Sequence, residues 1–197
     1  AGKVVPIFVG SALKGIGTAA LLNKIIGTFP SPAEIEAVKG AHPQTKAEEA
    51  RKPLDTEPFS ALVFKTLADP YVGKLTYFRV YSGVLKSDSH VFNSTEGADE
   101  RIGQAYFLKG KNQEAAAEVH AGDIGAVAKL AQTGTGDTLC DKAKPIRYAP
   151  IEFPAPVYSV AIKAKTKGDE DKLGPSLARL ADEDPTFQYR REVETGE

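Results

Sequence analysis

The sequence has 197 residues, of which 42% are hydrophobic and 26% charged, so it is globular in composition and not disordered or collagen-like. Its 25 Lys and Arg residues against 26 Asp and Glu give a formal net charge of -1, which excludes a protein that holds nucleic acid by bulk positive charge alone. The single cysteine, Cys140, excludes an intrachain disulfide and favours a reducing compartment.

Residues 1–35 have the pattern of a strand followed by a helix. Val4–Val9 is a short apolar run, which is typical of a strand buried on both faces. Apolar residues then recur at helical spacing over residues 21–29, with Thr18 as the predicted N-cap and Pro30 as a stop. One strand and one helix cannot form a core, so we interpret this segment as the C-terminal piece of a larger α/β domain.

Residues 36–57 and 58–148 differ sharply in pattern. The first stretch alternates prolines with charged residues and has little apolar surface, which predicts a linker. The second is rich in β-branched and aromatic residues with period-two alternation, and turns recur about every ten residues, the first of them at Asp69–Gly73. Many short strands in about ninety residues are typical of a small antiparallel β-barrel.

Residues 149–197 return to a mixed pattern. Val157–Ile162 is strand-like, residues 169–183 carry leucines at helical spacing, and Thr186–Arg190 is strand-like again. Strand, helix and strand in this order predict the opening of a split β-α-β unit. Pro175 would be tolerated in this helix if it lay in the first turn. Because both ends have unfinished patterns and the sequence contains no methionine, we expect a piece of a longer protein.

No local motif predicts catalysis or metal binding. Gly10 and Gly15 have the spacing of a phosphate loop, but Ile16 and Gly17 follow where the loop requires Lys and Ser or Thr. This segment is therefore interpreted as a glycine-permissive turn. The three histidines have no ligand partners at metal-site spacing, so no metal ligand and no catalytic residue is predicted.

The predicted barrel does carry basic residues interleaved with tyrosines. Basic and aromatic residues together on a barrel can bind nucleic acid. We predict contact with nucleic acid at three of these positions, Lys74, Arg79 and Lys86. The alternative for each is an ordinary solvated side chain.

Specific segments resemble bacterial elongation factor G in the right order along nearly the whole sequence. The barrel contributes Ala68–Gly83, Arg101–Gly103, Ala121–Ile124 and Thr135–Cys140, and the flanks contribute Gly10–Leu13, Phe29–Pro32, Phe153–Val157 and Leu180–Phe187. Two further stretches, Lys109–Glu114 and Ala126–Leu130, look closer to the elongation factor G-like paralogues.

The resemblance implies a mainly β fold, with a translation-factor barrel between the end of a GTPase domain and the start of a ferredoxin-like third domain. It implies a ribosome-dependent GTPase that promotes tRNA–mRNA translocation, and assists ribosome recycling, in the cytoplasm. The barrel would dock on small-subunit ribosomal RNA, with no membrane involved and a monomeric chain. The turn Ser11, Ala12 and Leu13 would place backbone N–H groups at the guanine carbonyl oxygen.

The resemblance also limits what this chain would do by itself. GTP or GDP with Mg²⁺ would bind the full-length parent, whereas the phosphate loop, switches and magnesium ligands of the family have no counterpart among these 197 residues. We therefore expect this chain to hold no cofactor and to be inactive as a GTPase. Reasoning from the residues alone leaves a second interpretation open: a free-standing β-barrel module, not an enzyme, that binds single-stranded nucleic acid or another ligand.

Overall fold

The computed structural model describes residues 3–69, 72–110 and 112–190, and the chain divides into two compact units, 1–35 and 36–197. The turn predicted at Asp69–Gly73 includes residues 70 and 71, which lie outside the described residues. Most of the regular structure of the described residues is antiparallel β, as predicted, with two α-helices.

In the first unit the predicted helix is confirmed and the predicted strand is wrong. Helix α1 spans Thr18–Thr28 and ends before Pro30, but its N-cap is Gly17, with a φ of 80°, and not Thr18. Val4–Val9 forms no strand, and residues 3–35 contain only one isolated bridge, between Ser11 and Ile16. An apolar run becomes a strand only when a neighbouring strand accepts its backbone hydrogen bonds, and the described residues of this unit supply none.

The second unit contains twelve strands among its described residues. In chain order they are β1 (Val38–Ala41), β2 (Glu48–Arg51), β3 (Ser60–Asp69), β4 (Gly73–Ser82), β5 (Leu85–Lys86), β6 (His90–Asn93), β7 (Ala98–Arg101), β8 (Ala105–Lys109), β9 (Asn112–Ala116), β10 (Glu118–Val119), β11 (Ile124–Ala128) and β12 (Thr138–Cys140).

Eight of these strands form one antiparallel sheet in the order β7-β6-β12-β3-β4-β11-β8-β9, and β5 pairs with β10. Side chains from β6 near one end of this order and from β9 at the other end share a single core, which requires the sheet to curl round on itself as a barrel. That core contains Ala61, Val63, Phe78, Val80, Leu85, Val91, Ile102, Ala105, Ala116, Val119, Val127, Leu130 and Leu139. The barrel predicted from the alternating pattern is confirmed.

The segment 36–57, predicted as a linker, contains the β1–β2 hairpin. Arg51 at its end is only 8% exposed, and its guanidinium donates to the Lys144 carbonyl at 3.1 Å and lies 2.9 Å from the Glu49 carboxylate. Val38 packs on a second small cluster that includes Ile146 and Tyr148. The hairpin is stabilised by these tertiary contacts, which its own charged sequence does not reveal.

Tyr148 anchors the second cluster against the barrel. Its ring meets that of Tyr81 edge to face at 4.9 Å, and its hydroxyl lies 2.6 Å from the Ser60 hydroxyl. Burial raises the pKa of Tyr148 to about 12, although the hydrogen bond with Ser60 opposes part of that effect. The phenol therefore stays neutral, as a buried hydroxyl should.

Beyond the barrel, the described residues 149–190 contain one helix and no strand. Helix α2 spans Lys167–Glu183 and packs against β3. The strands predicted at Val157–Ile162 and Thr186–Arg190 are not formed, again because no described residue pairs with them. Pro175 lies in the interior of α2 and not in its first turn, so the helix lacks one i to i−4 hydrogen bond there.

Candidate nucleic-acid interface

Strand β4 presents alternate residues to the core and to the outside of the barrel. Thr76, Phe78 and Val80 are 0% exposed, whereas Tyr77 and Arg79 between them are partly exposed. The period of two therefore places Tyr77 and Arg79 on the outer face.

Arg79 lies in the middle of an outer row of three residues. Across the ladder it is opposite Leu62 on β3 and Ile124 on β11, and Ile124 is half exposed. Among the described residues Arg79 has no ion pair. Its guanidinium therefore lies between two apolar residues, Leu62 and Ile124, and no described carboxylate pairs with it.

An aromatic row lies next to Arg79 on the same face. The rings of Tyr77 and Phe64 are 6.3 Å apart between centroids, and Ala126 lies opposite both Tyr77 and Tyr106 in the ladder. Burial is the main cause of a raised pKa for the Tyr77 phenol, which keeps it a neutral donor. This surface of one arginine and three aromatic rings we call the Arg79 face.

Lys74 does not belong to the Arg79 face. It is five residues from Arg79 along a strand whose pairing with β11 is regular from Leu75 onwards, so alternation assigns it to the opposite side. Its Nζ lies 3.9 Å from the Asp182 carboxylate near the end of α2, and its side chain is 23% exposed. Its charge is therefore directed to a protein carboxylate.

Lys86 lies in a separate chain of alternating charges. Its Nζ is 3.3 Å from Glu118, which is 4.0 Å from His120, and His120 Nδ1 lies 2.8 Å from Asp55. The hydrogen bond with Asp55 is the main cause of a raised pKa for His120. The structure thus places the three predicted basic residues at three different sites and leaves only Arg79 without an acidic partner among the described residues.

The turn at Ser11, Ala12 and Leu13 can be tested for its fit to a guanine base. Ser11 N–H donates to the Ile16 carbonyl at 3.0 Å, so it is already used within the turn. Ala12 and Leu13 N–H have no acceptor among the described residues, and Leu13 is 97% exposed. Two of the three predicted donors are therefore available for an external carbonyl oxygen.

Sequence reasoning missed the apolar and aromatic neighbours of Arg79. Phe64 and Ile124 meet the β4 residues only through strand register, and β3 carries an irregularity between Val63 and Lys65 that shifts this register. The alternating pattern of each strand was available from the sequence, but the cross-strand partners were not. Of the described residues, no three His, Cys, Asp or Glu side chains form a group that could hold a metal ion.

No helix in the described part of the chain is long and apolar enough to cross a membrane.

Comparison with known proteins identifies two consecutive domains. Residues 58–142 match the family described as elongation factor G domain 2, and residues 153–197 match elongation factor G domain III. A crystal structure of a protein from Thermus thermophilus is similar over 93% of this chain, with 30% sequence identity and a TM-score of 0.70. The present chain spans 25% of the length of that protein chain.

Proposed function

Because this chain belongs to the elongation factor G family, we propose that its barrel docks on the RNA of the small ribosomal subunit through the Arg79 face. The observation that supports this proposal is the arginine itself, a cation without an acidic partner among the described residues, beside the rings of Tyr77 and Phe64. The coarser role, a translation elongation factor type of protein, follows from the two matched domains.

The chemistry of the Arg79 face suits RNA. An arginine can donate two parallel hydrogen bonds to one phosphate, and its planar guanidinium can also stack on a base. Aromatic side chains such as Tyr77 provide further stacking surface for unpaired bases. Lys65, opposite Tyr77 on this face, donates to the Glu183 carbonyl at 2.7 Å, so Arg79 is the cation left for a phosphate among the described residues. Because the chain has a net charge of -1, docking through this face alone would be weak and sensitive to salt.

The activity of the whole protein is a further part of the proposal. We propose that it promotes movement of tRNA and mRNA on the ribosome in the cytoplasm, using GTP with Mg²⁺. When bound, GTP supplies the free energy of hydrolysis of its terminal phosphate. In this chain the N–H groups of Ala12 and Leu13 would hold the guanine carbonyl oxygen. We assign a catalytic role to none of the described residues.

The test is co-sedimentation of the purified chain with small ribosomal subunits at low and moderate salt. Arg79→Glu should remove most of the pelleted chain, because it places a carboxylate where phosphate would lie. Lys86→Glu makes the same kind of charge change outside the Arg79 face, in the separate chain of charges that contains Glu118, so it should leave pelleting nearly unchanged.

Lys172→Glu is the matched control for the change in net charge. Lys172 is a 76% exposed lysine on α2 whose Nζ lies 3.4 Å from Asp169. Each variant is checked for an unchanged thermal unfolding midpoint. Equal pelleting of the wild-type chain and Arg79→Glu would show that the Arg79 face does not contact the ribosome.

A further inference from the structure

A second basic surface lies at the β1–β2 hairpin, where no predicted site residue is found. It is a groove of about 460 Å³ between the hairpin turn and residues 147–150. Its polar lining consists of Lys39, His42, Lys46, Glu48 and Arg147. We call it the hairpin groove.

The charges of the hairpin groove do not cancel. Lys39 Nζ lies 2.9 Å from the Glu48 carboxylate, so these two lining residues neutralise each other. Lys46 and Arg147 have no ion pair among the described residues. The groove therefore presents two uncompensated cations in a chain whose overall charge is -1.

The wall that carries Arg147 is held firmly to the hairpin. Ala41 and Arg147 exchange two backbone hydrogen bonds, each of 2.8 Å. A Cβ on Gly40 would come within 2.8 Å of the Arg147 carbonyl oxygen, so the two backbones are in close contact. Arg147 is thus positioned by its backbone, which leaves its side chain free for a ligand.

The turn on the other wall orients further donors. Lys46 has a left-handed φ of 61°, and its N–H donates to the His42 carbonyl at 3.0 Å. His42 Nδ1 accepts hydrogen bonds from the N–H groups of Gln44 and Thr45 at 3.3 and 3.2 Å. Because Nδ1 is an acceptor, the ring proton of neutral His42 lies on Nε2, which makes this ring another donor lining the groove.

We propose that the hairpin groove binds the phosphodiester backbone of RNA, with Arg147 and Lys46 as the phosphate ligands. Two unpaired cations and an imidazole N–H are the donors that phosphate oxygens require, and only one carboxylate lines the groove, already paired. The choice of RNA over another polyanion rests on the proposed function. The site itself is separate from the Arg79 face and tested separately.

The experiment measures fluorescence anisotropy of a short fluorescein-labelled single-stranded RNA titrated with the full 197-residue chain over a series of salt concentrations. Arg147→Gln keeps the backbone pairing with Ala41, and Lys46→Asn keeps a residue that tolerates left-handed φ. The double variant should bind more weakly, and its slope of log K against log salt should be smaller by about 1.4, or about 0.7 for each phosphate that is no longer neutralised.

A third variant changes affinity in the opposite direction. Glu48→Gln releases Lys39 from its ion pair and removes the one carboxylate of the lining, so it should bind the RNA more tightly and with a steeper salt slope. Lys172→Gln is the matched control, an exposed lysine outside the groove, and it should leave the slope within error of the wild-type value.

Two results would overturn the proposal. One is an unchanged salt slope in the double variant with an unchanged affinity in Glu48→Gln. The other is binding of polyglutamate as tight as that of RNA with the same dependence on Arg147, which would assign the groove to acidic protein segments. Either of these results together with ribosome pelleting that depends on Arg79 would refute the groove alone, whereas groove-dependent RNA binding without pelleting would refute the proposed function alone.

Discussion

At the scale of single residues, the sequence does not show whether a charged side chain is buried or paired. Glu100 is a charged residue of strand β7, yet it is only 4% exposed. Its carboxylate accepts hydrogen bonds from the N–H groups of Ala131 and Gln132 at 3.2 and 2.7 Å, and from the Thr133 hydroxyl at 2.9 Å. It therefore fixes the loop that leads to β12.

Glu100→Gln should destabilise the barrel by about 1–3 kcal/mol, because the new amide NH₂ would face backbone N–H donors and leave them unsatisfied. The measurement is the urea unfolding midpoint followed by circular dichroism. Asp99→Asn makes the same change of charge one residue earlier, where the carboxylate is 57% exposed and paired with Lys142. That control should cost less than about 1 kcal/mol, and equal costs for the two variants would contradict the structural role of Glu100.

At the scale of elements, the β1–β2 hairpin is the part of the second unit that the hydrophobic pattern of the sequence did not predict. Its strands, Val38–Ala41 and Glu48–Arg51, have few apolar residues, so their sequence predicted a linker. What stabilises them is distant in sequence: backbone pairing with Arg147 and the packing of Val38 with Ile146. The barrel strands were predictable because each carries its own alternating apolar face.

Gly40→Ala should loosen the hairpin by about 1–3 kcal/mol, since the added Cβ would lie 2.8 Å from both the Arg147 carbonyl oxygen and Ile146 Cγ1. Faster hydrogen exchange at the Ala41 and Arg147 amides would report the change. Gly103→Ala is the control, because nothing lies within 4 Å of its added Cβ. Unchanged exchange in Gly40→Ala would show that the contact is not needed to hold the hairpin.

At the scale of the whole molecule, the barrel was predictable and the flanking strands were not. Apolar runs such as Val4–Val9 and Val157–Ile162 have strand composition, but the described residues offer them no partner, and Val157 is 99% exposed. The Arg79 face was predictable in part: Arg79 and Tyr77 could be chosen from alternation on one strand. Phe64 and Ile124 could not, since the register of three strands brings them together.

The distribution of burial predicts which part of the chain determines its unfolding. Every buried side chain among the described residues lies between Arg51 and Tyr148. A chain of residues 36–197 should therefore unfold within about 4 °C of the 197-residue chain in a thermal scan, which is the shift expected for about 1 kcal/mol or less in a domain of this size.

Leu139→Ala shows whether the scan can detect a real loss of core packing. Leu139 is 0% exposed, and its truncation should cost about 2–5 kcal/mol and lower the midpoint by about 8 °C or more. If removing residues 1–35 lowered the midpoint as much as Leu139→Ala does, the first unit would carry folding free energy that the burial pattern assigns to the barrel alone. An unchanged midpoint would instead make the 36–197 chain the simplest protein in which to test the Arg79 face and the hairpin groove.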